Sequence, residues 1–515
     1  MPASKSLPGK SASAQKPKRK PRILMVTPEI TYLPVGMGNL AQRIKAKGGG
    51  LADVSASLVQ ALYAKGADVH VAVPNYRQLF DTDSWALADD EFQRYGQLPG
   101  NRIHLAEDRI FYYRHSVYGY SGPKDTVRMA MAFQREVTNR ILHDVRPDLV
   151  HCNDWMTGLI PAVARKLNIP SLLTVHNIHT ETTSLEEIED RGMDAAGFWE
   201  HLYYRRQPRG YEESRSTNAV DLLGSGIFAA HFINTVSPKF LEEVAWGEHD
   251  FVKRHLQGEI ANKMQAGCAV GILNAPDATY NPHDDPHLAS NFTIADHRRG
   301  KIANKRAFQK RLGLTLDDKA PLFFWPSRLD PFQKGCDLLT DILFQVVSDY
   351  AKENLQVAIV ADGSYQPHCH DIVKMHGIEH KVAVRDFDEG LSRLGYAASD
   401  FMLMPSRFEP CGLPQMISGT YGSLPIVHNT GGLHDTIRPF DLKGNTGNGF
   451  VFDVFDQSGL RWAIDQAMGF FRLNAEIKEP QIERVMREHA HRFNHGTVAS
   501  EYIALYEKLL NRPLI

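Results

Sequence analysis

Short uninterrupted apolar runs alternate along this chain with longer segments whose apolar positions recur every three or four residues. Ile23-Leu24-Met25-Val26 has the length of a buried strand, a glycine-rich stretch follows, and Leu51, Val54, Leu58 and Leu62 then repeat at helical spacing up to Gly66. Val69, Val71 and Val73 alternate as the next strand, so this stretch spells a βαβ unit, the crossover that parallel strands require. Further strands are predicted at Asp148-Leu149-Val150-His151, Leu172-Leu173-Thr174-Val175 and Phe232-Ile233-Asn234-Thr235-Val236. The second half restarts the same rhythm. Leu322-Phe323-Phe324-Trp325, Val357-Ala358-Ile359-Val360, Val382-Ala383-Val384, Phe401-Met402-Leu403-Met404 and Leu424-Pro425-Ile426-Val427 read as strands, with helices over 338–347 and 413–421. Strands alternating with helices imply parallel sheets covered on both faces. Two such sets predict an α/β protein of two doubly wound, Rossmann-like domains, joined near residues 265–280. Their ligand-binding strand ends would face each other across a central cleft.

A chain of 515 residues has room for two such cores, and 43% apolar with 23% charged residues is ordinary for a globular protein. A formal net charge of −2 argues against a nucleic-acid binder. The charge is uneven, however. Lys5, Lys10, Lys16, Lys18, Arg19, Lys20 and Arg22 crowd the start among Ser, Pro and Ala with no acid, and residues 1–21 read as a disordered basic tail. No apolar run is long enough to span a bilayer, and no membrane partner is expected. Five scattered cysteines without paired spacing point to a reducing compartment and a cytoplasmic location. His368-Cys369-His370 has no second cluster at zinc-site spacing, so no metal is expected. Residues 181–215, rich in charge, read as an inserted helical excursion that decorates the solvent face.

Four places look chemical. Lys47-Gly48-Gly49-Gly50-Leu51-Ala52-Asp53 lies between a strand and a helix, where glycines admit a close ligand and free N–H groups attract an anion. It is neither a Walker loop nor a GxGxxG fingerprint. Arg328 and Lys334, in the loop Pro326 to Gly335 after a strand, can neutralise a departing diphosphate. Glu409 follows the strand ending near Pro405, where a carboxylate can accept hydrogen bonds from sugar hydroxyls. Asn429-Thr430-Gly431-Gly432-Leu433 opens another helix as a second anion cradle. Singly, these also read as a tight turn, a solvated loop or a helix cap. Together they fit a nucleotide-diphosphate sugar better than a monoanion.

From about residue 22 to 512 the chain resembles the bacterial glycogen synthase and plant starch synthase family, retaining glucosyltransferases of the GT-B architecture. The resemblance is carried by Ser406-Arg407-Phe408-Glu409-Pro410-Cys411-Gly412-Leu413 with Thr430-Gly431-Gly432-Leu433-His434-Asp435-Thr436 behind it. Lys47-x-Gly-Gly-Leu-Ala-Asp53, Arg328-Leu329 with Gln333-Lys334-Gly335, Thr174-Val175-His176-Asn177 and Gly271-Ile272-Leu273-Asn274 add to it. It implies an ADP-glucose donor (UDP-glucose staying open), the non-reducing end of an α-1,4-glucan as acceptor, and no cofactor. Arg328, Lys334 and Glu409 would be catalytic. Lys47, Gly49, Gly50, Asp53, His176, Asn177, Asn274, Cys411, Gly412, Leu413, Thr430, Gly431 and Gly432 would bind substrate. The expected division is 22–268 on the acceptor side, 269–480 for the nucleotide sugar, and 481–515 as a C-terminal helix packing back on the first domain. Against the family pattern, Met156 stands where bacterial members usually carry a histidine, Asn274-Ala275-Pro276-Asp277 replaces Asn-Gly-Ile-Asp, and the loop 31–45 is longer.

Overall fold

The computed structural model describes residues 19–38, 40–80, 101–118 and 122–515, so most of the expected basic tail, residues 1–18, lies outside the described residues. In chain order the first sheet uses β1 (Arg22–Val26), β2 (Asp68–Pro74), β3 (Ile103–Ala106), β4 (Leu149–Asn153), β5 (Ser171–Val175), β8 (Phe232–Thr235) and β9 (Ala269–Gly271). Between β5 and β8, β6 (Thr182–Thr183) and β7 (Val220–Asp221) pair antiparallel as a small ribbon. The first sheet runs β3-β2-β1-β4-β5-β8-β9, with every pairing parallel. The second contains β10 (Leu322–Trp325), β11 (Gln356–Val360), β12 (Val382–Arg385), β13 (Phe401–Met404), β14 (Leu424–His428) and β15 (Phe450–Phe452), in the order β12-β11-β10-β13-β14-β15, also all parallel.

The strands recognisable as continuous apolar runs are the central ones. β4, β5, β10, β11 and β13 are buried along their whole length because helices cover both faces. β3, β9 and β15 were not expected. They are edge strands of three or four residues, too short to show a pattern. β9 completes the first sheet although the expected division at 268 assigns it to the second half.

One outer segment also differs from expectation. Residues 181–215 are more than a solvated decoration. Leu185, Ile188, Met193, Phe198 and Leu202 are buried in the first core, and the β6–β7 ribbon anchors the segment there. In the loop 31–45, Leu33, Met37, Leu40 and Ile44 are likewise buried. At the C-terminus, helix Ala475–Arg492 stays on the second domain, where His489 Nδ1 is 3.1 Å from the Met416 carbonyl oxygen. Helix His495–Leu510 then crosses to the first domain. Its Tyr506 hydroxyl lies 2.7 Å from His151 Nδ1, and its Tyr502 hydroxyl accepts from Asn234 Nδ2 at 2.9 Å. Among the described residues no helix is long and apolar enough to cross a membrane.

Candidate active site

In each sheet the strand order reverses at one place, between β1 and β4 in the first and between β10 and β13 in the second. The loops that leave the carboxyl ends of a reversal point diverge, and the gap between them is where open parallel sheets bind ligands. Both gaps open into one cleft of about 890 Å³. Glu29 and Asp154 enter it behind β1 and β4, and Arg328 and Glu409 behind β10 and β13.

On the second-domain side, Gly335 lets two loops meet. Its φ of 68° is left-handed, and an added Cβ would lie 2.2 Å from the Pro405 carbonyl oxygen. Arg407 N donates to the Gln333 carbonyl oxygen at 2.8 Å, tying the same loops together. As a result Lys334 Nζ reaches Glu409 Oε2 at 2.5 Å, with Ser406 Oγ donating to that oxygen at 3.1 Å. The pair is nearly buried, at 13% and 8% side-chain exposure. Arg328 is 63% exposed and, among the described residues, bonded only to its own loop, at 3.3 Å to Gln333 and 3.5 Å to Asp330. One cation is thus fixed against the carboxylate and the other is free to swing toward an anion.

On the first-domain side, the glycine turn spends its N–H groups inward. Gly48 N and Gly49 N donate to Glu29 Oε2, the latter at 2.8 Å, and the Tyr118 hydroxyl donates to Glu29 Oε1 at 3.0 Å. Burial raises the Glu29 carboxyl above its ordinary value, against the bonds from Gly48 and Gly49. Asp154 has φ 56° and ψ −174°, a conformation that only glycine adopts without strain. It is held there by His176 N, donating at 2.7 Å, and Asn177 Nδ2, donating at 3.1 Å. Burial pushes its carboxyl up to about 7.

Of the expected residues, Gly49, Gly50, His176, Asn177, Asn274, Arg328, Lys334, Glu409, Cys411, Gly412 and Leu413 line the cleft. Lys47 and Asp53 lie beside that lining and pair with each other at 2.7 Å. Thr430, Gly431 and Gly432 are not on the cleft. They are buried between the domains, where Glu243 of the first domain already fills the expected anion cradle. Glu29 and Asp154 are not apparent from the sequence, although, like Glu409, each lies shortly after a strand. Two buried polar atoms of the lining, Asn274 Oδ1 and Ser327 Oγ, have no hydrogen-bond partner among the described residues. Buried polar atoms are rarely left so unless a ligand or water meets them.

Two parallel α/β domains that face each other over one shared cleft, with carboxylates at both reversal points and cations at the second, define a glycosyltransferase of the GT-B class. Comparisons with known proteins narrow this. Residues 22–259 match the starch synthase catalytic domain family and residues 308–478 the glycosyl transferases group 1 family. A glycogen synthase of Moorella thermoacetica is 32% identical over 95% of this chain and 97% of its own. One from Exiguobacterium sibiricum is 33% identical over 89% and 95%. The catalytic domain of starch synthase IV from Arabidopsis thaliana, solved bound to ADP and acarbose, superposes with a TM-score of 0.76 at 26% identity, over 96% of this chain and all of that one. The chain belongs to the glycogen synthase and starch synthase family, and it is a hexosyltransferase.

Proposed function

We propose that this enzyme transfers glucose from ADP-glucose to the non-reducing end of an α-1,4-glucan with retention of configuration. The observation that carries the reading is the buried Lys334–Glu409 pair with Arg328 free beside it, at the mouth of a cleft that both domains line. The starch synthase relative solved with ADP and acarbose supports an adenine nucleotide and a sugar chain as ligands of such a cleft.

In this reading Arg328 and Lys334 receive the diphosphate. As the bond from the anomeric carbon to the phosphate oxygen breaks, negative charge grows on that oxygen, and two cations, Lys334 already fixed and Arg328 swung onto it, stabilise it far better than water does. Glu409 holds the sugar hydroxyls and faces the positive charge that builds on the anomeric carbon. The acceptor hydroxyl attacks from the side of the departing phosphate and forms the new glycosidic bond, and its proton passes to the leaving phosphate oxygen. Asn274 Oδ1 and Ser327 Oγ, unpartnered among the described residues, are the polar atoms that the donor satisfies. Closure of the two domains excludes water, which would otherwise hydrolyse the donor.

Glu409→Ala tests the assignment. Its expected result is a loss of transfer of roughly 10²-fold or more, as for other groups acting on transition-state charge, with circular dichroism unchanged. Wild-type turnover in a folded Glu409→Ala protein would remove Glu409 from the site.

A further inference from the structure

The second glycine turn is filled from within, and the residue that fills it comes from the other domain. Glu243 is buried on helix Pro238–Trp246 of the first domain. Its carboxylate accepts from Gly431 N at 2.8 Å and from Thr430 Oγ1 at 3.2 Å, and His249 Nε2 lies 3.0 Å away. Burial alone would raise this carboxyl, but the bonds from His249, Gly431 and Thr430 hold it below its ordinary value. A contact of the same kind runs the other way. Asp435, on helix Gly431–Thr436, accepts from Lys239 N at 3.0 Å and from Ser237 Oγ at 2.5 Å, at the start of the Pro238–Trp246 helix. Each helix therefore lends a carboxylate to the amino end of the other, across the domain boundary.

The clamped segment also touches the Glu409 loop. Gly432 N donates to the Glu409 carbonyl oxygen at 2.9 Å. An added Cβ on Gly431 would lie 2.0 Å from the same oxygen, and one on Gly432 would lie 2.0 Å from the Cys411 carbonyl oxygen. No slack exists between the residues that Glu243 holds and the backbone that carries Glu409. We infer that Glu243 is a positioning residue for glucosyl transfer, fixing Glu409 to the first domain through Thr430, Gly431 and Gly432. The orientation of the acceptor-side domain is then felt at the carboxylate that holds the donor sugar, without Glu243 touching substrate. This rests on the reading of Glu409 as that carboxylate.

The test is steady-state kinetics, per folded molecule, of Glu243→Ala, Glu243→Gln and Glu409→Gln, with thermal melting of each. Glu243→Ala is expected to lower kcat at least about tenfold while the donor KM stays within about threefold, the pattern of a lost transition-state arrangement. Glu243→Gln, whose amide oxygen still accepts from Gly431 N, is expected to recover most of kcat. A purely structural role would lower the melting temperature and leave kcat per folded molecule unchanged. Wild-type kcat in Glu243→Ala, with Glu409→Gln inactive, would overturn the inference and leave the site reading intact. Wild-type kcat in Glu409→Gln would instead defeat the site reading itself. Should Glu243→Ala fail to fold, Thr430→Val decides, since it removes one donor to Glu243 and keeps the packing. A kcat loss of roughly two- to fivefold is expected there, and an unchanged kcat would overturn the inference.

Discussion

Arg328 and Lys334 carry the same charge on the same loop, yet their loss has different consequences. Arg328 is mostly in solvent, and exposed ion pairs contribute little to stability. Lys334 is the partner of a carboxylate with 8% exposure, and its removal strands that charge. Arg328→Ala is expected to unfold in denaturant within about 0.5 kcal/mol of wild type, and Lys334→Ala about 3 kcal/mol or more earlier, while initial rates show both to be defective in transfer. Asp154 gives a pH signature. Its folded value of about 7 stands above the 3.8 of a free carboxyl, so the folded protein holds the proton more tightly than the unfolded chain. Its contribution is complete below 3.8 and is lost as pH rises toward 7. Asp154→Asn carries no such proton, so its stability relative to wild type should climb across that window by up to about 4 kcal/mol and flatten above it. Chemical denaturation at a series of pH values measures this, and a flat difference would show that Asp154 is ionised throughout. Arg328, Lys334 and Glu409 can be picked out of the sequence because they combine a place after a strand with a family motif, whereas position after a strand alone does not single out Glu29 and Asp154. It could not show that Thr430-Gly431-Gly432 serves an internal carboxylate, because the N–H groups of a glycine turn accept any anion, including one from another part of the chain.

At the scale of elements, the C-terminal crossing ties the two domains into one chain-closed unit. His151 on β4 is fully buried, with Nδ1 2.7 Å from the Tyr506 hydroxyl and Nε2 2.6 Å from Thr174 Oγ1, and burial holds its imidazole down at about 3. A neutral ring with both nitrogens engaged leaves no spare partner. Tyr506→Phe should therefore cost about 1–3 kcal/mol, the penalty of one orphaned buried polar group, read as a lowered urea midpoint at unchanged slope. The central strands were legible in the sequence because burial on both faces makes them continuous apolar runs. The edge strands β3, β9 and β15 were not, and neither was the packing of residues 181–215, whose buried Leu185, Ile188 and Phe198 are diluted by surrounding charge.

At the scale of the molecule, two sheets with matching reversal points present their strand ends to one cleft, and each domain contributes groups the other lacks. The cations and Glu409 come from the second domain, while Glu29, Asp154, His176 and the glycine turn come from the first. Neither half is a site alone. This architecture could be read from the alternation of strands and helices, because parallel strands admit few connections. The state of the cleft could not, because it depends on contacts between residues far apart in sequence, such as Glu243 with Gly431 and Tyr32 with Asp277.

The most direct test is to incubate the purified protein with glycogen and radiolabelled ADP-glucose, with UDP-glucose in parallel, and to count label in the precipitated glucan. The expected result is incorporation from ADP-glucose in excess of that from UDP-glucose, with the label released by an enzyme that cleaves α-1,4 linkages from the non-reducing end. No incorporation from either donor by folded protein would contradict it.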